Sequence, residues 1–345
     1  MAILTNRQSN IELLRIIAML LLMGVHANYV VFGAPSTSEI IDNPPNAFFR
    51  ILTENICIVG VNVFILISGW FGIRYKTKSL SNLIFQCLFF SIAVYLVCFI
   101  TGEVEFNRIN ILSSLLLYLN AYWFVWAYLV LYIIAPMLNP FIENSKRKTL
   151  KRALIMFWTV EMIIAFFTSC GFFNGGYSPL HFIGLYLLSR YFSLYIKNYN
   201  KWLCLTIYIL CVLCNTLMCF LPAIMFGKDC GVLSSISLAY TGPFNIVGAL
   251  ALLLFFTKVN VKSKLINWIS VSCLTVYLIH SHECIYLKYR AIAQNIYNNF
   301  SGVMFFSVII AFIIAVFIVC ILLDKIRIYV FDKLWRIVEK KALNN

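Results

Sequence analysis

Five stretches of this chain, 79–102, 109–142, 202–227, 230–257 and 301–323, contain no Asp, Glu, Lys or Arg. A helix crosses the hydrocarbon core of a bilayer with about 17–25 mainly apolar residues, so each stretch can span it. Of the 345 residues, 62% are apolar and 12% charged, whereas soluble domains carry about 25% charged residues. So few charges cannot coat a water-facing surface of this size. The fold class that follows is all-α, a polytopic transmembrane helical bundle. Ten spans are expected, near 11–32, 53–73, 83–101, 111–139, 153–169, 180–196, 202–225, 233–257, 265–283 and 301–323. They form one membrane domain over 1–345, ending in a short basic tail at 324–345.

The net charge of +14 has a topological origin. Alternate connections of the ten-span arrangement collect the basic residues: Arg74, Lys76 and Lys78; Lys146 to Arg152; Lys197 and Lys201; Lys258, Lys262 and Lys264; and the tail from Lys325 to Lys341. With Arg7 they make 20 of the 27 basic residues, against five (Arg50, Arg108, Lys228, Lys288, Arg290) in the other connections. The positive-inside rule then puts both termini in the cytoplasm. The basic residues face anionic lipid headgroups, and nucleic acid is not an expected partner.

The first apolar segment follows Arg7 and is too long for a signal-peptide core, so an uncleaved first helix is expected. Most of the twelve cysteines fall inside spans, where they act as small apolar residues. Cys211 and Cys214 lack a second pair at zinc-site spacing, and no metal is expected. Cys170 and Cys230 fall in expected outer connections and are placed to pair. No internal repeat stands out, and the longest outer loops, 33–50 and 284–301, are each able to cover an opening.

Ionisable groups within the spans are where function is to be sought, because burying them is costly unless they are paired or wet. Glu12 and Arg15 are three apart on the first helix and can pair. Arg15 and His26 are eleven steps apart; at ~100° per step they return to within ~20° of the same direction, ~16 Å apart along the axis. One face thus carries a fixed cation near the cytoplasm and a deeper titratable imidazole. Arg15 alone is equally well read as snorkelling to the headgroups. His26 is too deep for that and needs polar partners.

His280 stands near the end of the ninth span. A continuous helix from Leu265 puts it ~22 Å above the inner end, about the depth of His26. His282 is two residues on, ~200° around the helix, so the two do not share a metal; His282 belongs at the interface. The second span ends in Ser68-Gly69, near the level of Arg15. This small pair serves either close backbone packing or room for a ligand. Arg190, in the sixth span, faces the same inner cavity or snorkels. Glu161 and Asn62 are further polar groups for which interhelical bonding and chemistry both remain open.

Four segments together resemble the acyltransferase-3 family of integral-membrane acyltransferases, which includes bacterial O-acetyltransferases of surface polysaccharides. They are Ile11-Glu12-Leu-Leu-Arg15 with His26, an Arg-ten-residues-His pattern; Val63-Phe64-Ile-Leu-Ile-Ser68-Gly69; Tyr122-Trp123-Phe124 through Tyr128 and Tyr132 to Pro136; and Val276-Tyr277-Leu278-Ile279-His280. Glu12 stands where many members have Asp, and Ile279 replaces the usual aromatic. The resemblance runs the length of the chain.

It implies an acyl-CoA donor used from the cytoplasm, usually acetyl-CoA, and an acceptor hydroxyl on a cell-surface glycan or its lipid-linked precursor, in the inner membrane of a bacterium. On this reading His26 is the general base, Arg15 orients the donor with Ser68, Gly69 and Arg190 lining its site, and His280 supports the catalytic group. Homo-oligomers are compatible with it. A transporter or flippase of lipid-linked sugars is the alternative, but repeats or Gly/Pro-broken helix pairs typical of such proteins are not evident. A polysaccharide polymerase would carry large outer loops rich in Arg and His, and these are charge-poor.

Overall fold

The structure, a computed structural model, describes residues 7–105, 107–115, 122–168, 170–228 and 231–343. Every regular element among them is helical. In chain order they are α1 (Ser9–Ala27), α2 (Tyr29–Phe32), α3 (Thr37–Asp42), α4 (Pro44–Cys57), α5 (Gly60–Phe71), α6 (Thr77–Ile100), α7 (Arg108–Ser114), α8 (Trp123–Asn144) and α9 (Arg147–Phe167). There follow α10 (Pro179–Tyr195), α11 (Lys201–Phe226), α12 (Gly231–Leu238), α13 (Pro243–Thr257), α14 (Lys264–Ser270), α15 (Cys273–His280), α16 (Glu283–Asn299) and α17 (Gly302–Leu343).

Among the described residues, seven helical stretches are long and apolar enough to cross a membrane: Ser9–Phe32, Pro44–Phe71, Thr77–Ile100, Trp123–Asn144, Lys201–Phe226, Gly231–Thr257 and Gly302–Lys340. This is a multi-pass membrane protein. The other three expected spans are also helical but do not reach that standard. α9 spends its first turns on Arg147, Lys148, Lys151 and Arg152, and α10 has 17 residues including Arg190. The apolar Lys264–His280 stretch is shorter and breaks at Val271 and Ser272 between α14 and α15. That break removes the basis for placing His280 by the rise of one continuous helix.

Two further expectations change. The loops expected over 33–50 and 284–301 are largely helical, as α3 with the start of α4, and as α16. The tail expected at 324–345 is no separate segment, since α17 runs unbroken from Gly302 to Leu343. Cys230, and with it the Cys170–Cys230 pairing, lies outside the described residues.

Local chemistry sets many of the helix ends. Ser36 and Glu39 form a reciprocal capping box on α3, which satisfies backbone N–H groups that a helix start leaves without partners. Hydrogen bonds from Ser36 hold the Glu39 carboxyl below the usual range. Proline at the first turn opens α4, α10 and α13, where its missing N–H costs no hydrogen bond. α11 ends on Gly227 in the left-handed conformation, as glycine permits.

The chain forms two compact units, Met1–Arg74 with Trp126–Asn267, and Tyr75–Val125 with Trp268–Asn345. In the first, α5 is apolar nearly all round and is enclosed by α1, α10 and α13. Two glycines nine residues apart, hence on opposite faces, bring neighbouring backbones close. A β-carbon on Gly60 would lie 2.8 Å from the Ala18 carbonyl oxygen of α1, and one on Gly69 would lie 2.7 Å from that of Tyr186 of α10. In the second unit, α15 packs on α6 and α17. A buried chain of hydrogen bonds joins them: Gln86 Nε2 donates to Thr275 Oγ1 (2.7 Å), and Thr275 Oγ1 to Asp324 Oδ1 (2.6 Å). Arg327 pairs with Asp324 at 2.7 Å and donates to Asn82 at 2.7 Å.

Candidate active site

The first unit holds Arg15, His26, Ser68, Gly69 and Arg190. Helix α1 supplies the first two from one face, both half-buried. Arg15 Nη1 donates to Glu12 Oε2 at 2.7 Å, and Arg7 reaches the same oxygen at 3.2 Å. The expected i, i+3 pair is therefore present, extended outward by a second cation. Glu12 is almost fully buried, and two guanidinium groups compensate its charge as burial requires.

At the C-terminal end of α5 the Ser68-Gly69 pair divides its work. Gly69 is a packing residue, pressed against the α10 backbone and Ser189. Ser68 gives its proton to the Phe64 carbonyl at 3.1 Å. Its oxygen is thereby left to accept from the Tyr128 hydroxyl, 3.3 Å away. The Arg15 charge acts on Tyr128, so Ser68, Tyr128 and Arg15 belong to one polar neighbourhood.

Tyr186 extends it. Both Tyr128 and Arg190 act electrostatically on Tyr186, whose hydroxyl donates to Asn139 Oδ1 (2.6 Å) and accepts from Ile73 N–H (3.0 Å). Asn139 Nδ2 returns a bond to the Ile73 carbonyl (2.7 Å). Arg190 is 9% exposed. It pairs with Glu143 at 3.3 Å, and its guanidinium lies 3.3 Å from where a Gly72 β-carbon would sit. Its Nε is buried and has no hydrogen-bond partner among the described residues. Tyr128, Tyr186 and Asn139 escape sequence reasoning as site residues because each lies in a run otherwise explained by hydrophobicity.

His26 stands in the last turn of α1, and two residues later Asn28 closes the helix. Asn28 Nδ2 donates to the buried Glu54 (3.0 Å) and to the Arg50 carbonyl (3.0 Å). Arg50 in turn donates to the Gly33 carbonyl (3.0 Å) and pairs with Glu39 (3.1 Å). The segment after α1 is thus strapped to α4 rather than free.

A second constellation in this unit contains His181, which sequence reasoning passed over. His181 Nδ1 lies 2.7 Å from Glu161 Oε1, and Nε2 lies 3.1 Å from Asn62 Oδ1. All three residues are fully buried. Asn62 Nδ2 donates to the Tyr240 carbonyl at 2.9 Å, which fixes the amide orientation and makes Asn62 Oδ1 the acceptor. His181 therefore carries a proton on Nε2. The Nδ1–Glu161 contact then needs one further proton, held by either partner. Glu161 Oε2 and the indole Nε1 of Trp158, which packs edge-on against His181, are buried and have no hydrogen-bond partners among the described residues.

His280 belongs to the second unit and is fully buried. A carbonyl can only accept, so Nδ1 donates to Val276 O (2.5 Å), and Nε2 faces Ser281 Oγ at 3.4 Å. Tyr122 donates to the Leu278 carbonyl (2.6 Å). His282 is a helix cap, accepting from Cys284 N–H on Nδ1 (3.3 Å) while Nε2 donates to the Ser91 carbonyl (3.2 Å). Among the described residues no group of three His, Cys, Asp or Glu could hold a metal ion.

A polar face on α1, an Arg–Tyr–Ser neighbourhood beside it and a histidine in an apolar frame suit transfer chemistry. Compared with known families, residues 8–325 match the model of the acyltransferase-3 family, described as an acyltransferase domain. The chain belongs to this family. It is a membrane acyltransferase. No curated protein and no solved structure matches it.

Proposed function

We propose that this acyltransferase moves an acyl group, acetyl in the first instance, from cytoplasmic acyl-CoA to a hydroxyl of a cell-surface glycan or its lipid-linked precursor. The proposal places it in the inner membrane of a bacterium, with ten spans and both termini cytoplasmic. The observation that carries the catalytic reading is the α1 face, where Arg15 and His26 stay half-buried while the Glu161–His181 pair of the same unit is sealed.

His26, in its neutral form, accepts the proton of the acceptor hydroxyl as its oxygen attacks the thioester carbonyl. The C–O bond forms, the C–S bond breaks, and the departing thiolate takes the proton from the imidazolium. No proton is gained or lost overall. Arg15, with Tyr128 and Ser68 beside it, orients the donor through charge-assisted hydrogen bonds, and Arg190 adds a second cation near the inner end of α5. His280 is assigned a supporting role, its Nε2 being the ring nitrogen left to accept.

Purified full-length protein with acetyl-CoA labelled in the acetyl group tests this. Label should pass to a glycan acceptor in an alkali-labile ester, or the thioester should be hydrolysed slowly without one. Neither event would sink the donor assignment. Surface glycan from a deletion strain should have lost O-acetyl groups that its parent carries.

A further inference from the structure

A cavity of about 1020 Å³ opens where the start of α1 meets the connection between α13 and α14. Its walls are fixed by side chains. Ser263 N–H donates to Ser9 Oγ at 3.0 Å. Asn10 Nδ2 donates to the Phe256 and Thr257 carbonyls at 2.9 and 3.4 Å, which occupies two acceptors at the end of α13. Among the described residues three cations line the cavity, Arg7, Lys262 and Lys264, and no carboxylate does.

Lys262 and Lys264 are exposed, and among the described residues neither has an ion-pair partner. Gln8 gives α1 no side-chain cap, so the positive end of that helix adds to the field. Arg7 shares Glu12 with Arg15, which makes one line of charge from the cavity to the site. From Ser9 to His26 the rise is about 25 Å. An elongated donor with an anionic head and a slim arm would cover that distance.

We propose that this cavity binds the phosphate groups at the nucleotide end of acyl-CoA. The inference rests on the CoA-donor reading above and adds a subsite to it. Its volume is that of an ordinary small-molecule site, and three cations, of which Arg7 alone has a carboxylate partner among the described residues, match a head bearing several phosphates. An anionic lipid headgroup offers the same chemistry, so the test must separate the two sources.

The double variant Lys262→Ala/Lys264→Ala of the full chain, in nanodiscs of purely zwitterionic lipid, is compared with the parent. Contacts made equally before and during reaction change KM and not kcat. KM for acetyl-CoA should rise about tenfold or more, as loss of charge-assisted contacts implies, with kcat kept. KM for acetyl-pantetheine, which lacks the phosphates, should be unchanged. Binding of 3′,5′-ADP should weaken by the same factor.

An unchanged KM for acetyl-CoA overturns the subsite while leaving the donor reading intact. No turnover of acetyl-CoA by the parent, together with 3′,5′-ADP binding that the double variant loses, removes the donor reading and keeps a phosphate site. If the parent does not bind 3′,5′-ADP, and the variant loses only a preference for vesicles containing phosphatidylglycerol, the phosphate belongs to the bilayer and the proposal falls.

Discussion

Helix α5 separates two polar constellations that look alike in composition and differ in state. On one face, marked by Gly60, it packs on α1 with its Glu12–Arg15 pair and His26. On the other, marked by Gly69 and Asn62, it packs on α10, where Glu161, His181 and Asn62 form a closed set. In the closed set both ring nitrogens of the histidine are engaged by neighbours within 3.1 Å, and nothing is exposed. On α1 both the arginine and the histidine keep part of their surface accessible. An acid–histidine pair is thus no mark of catalysis in itself; accessibility separates a group able to meet a substrate from one that fastens helices.

Substitution at each histidine should separate the two regions most sharply. His26→Ala should lower acyl transfer by about 10²–10⁴-fold, the usual worth of a positioned general base, while the unfolding midpoint in detergent stays near that of the parent. Retained transfer would put His26 outside the chemistry. His181→Ala should do the reverse. Removing one partner of a buried pair costs about 3–5 kcal/mol, so the unfolding midpoint should drop, with activity per folded molecule retained. A variant equally stable but inactive would move His181 into the reaction.

Gly69→Ala comes next, at about 1–3 kcal/mol of lost stability, because its new carbon meets backbone on α10 that cannot rotate away. Ser68→Ala, one residue earlier, is the matched control for the α1 side and should leave the unfolding midpoint nearly unmoved. On activity, a smaller effect than that of His26→Ala is expected for Arg15→Lys, about tenfold in kcat/KM for the acyl donor, since a lysine keeps the charge and loses the planar fork. Full activity in that variant would reduce Arg15 to a simple charge.

The α1 face was legible because it is local: eleven steps along one helix settle which way two side chains point. The charge-free runs likewise foretold α6, α11, α13 and the apolar part of α17. His181 was not legible, because its partners lie 20 and 119 positions away and no periodicity records such a meeting. Asp324 and Arg327 were assigned to a tail because charges usually mark a span's end. Paired three residues apart and met by Asn82 and Thr275, they are buried inside the second unit instead. The interruption at Val271 and Ser272 carries no proline or glycine to announce it.

The 42 residues of α17 have a mechanical consequence. At 1.5 Å per residue the helix measures about 63 Å, roughly twice the ~30 Å hydrocarbon layer. If it stands upright, about half of it lies outside the oil. The Asp324–Arg327 pair sits just past the midpoint of that rod, clamped to α6 and α15, so the distal half is a stiff mast with its footing inside the second unit. Any force applied to the mast's far end would be delivered to the helix that carries His280.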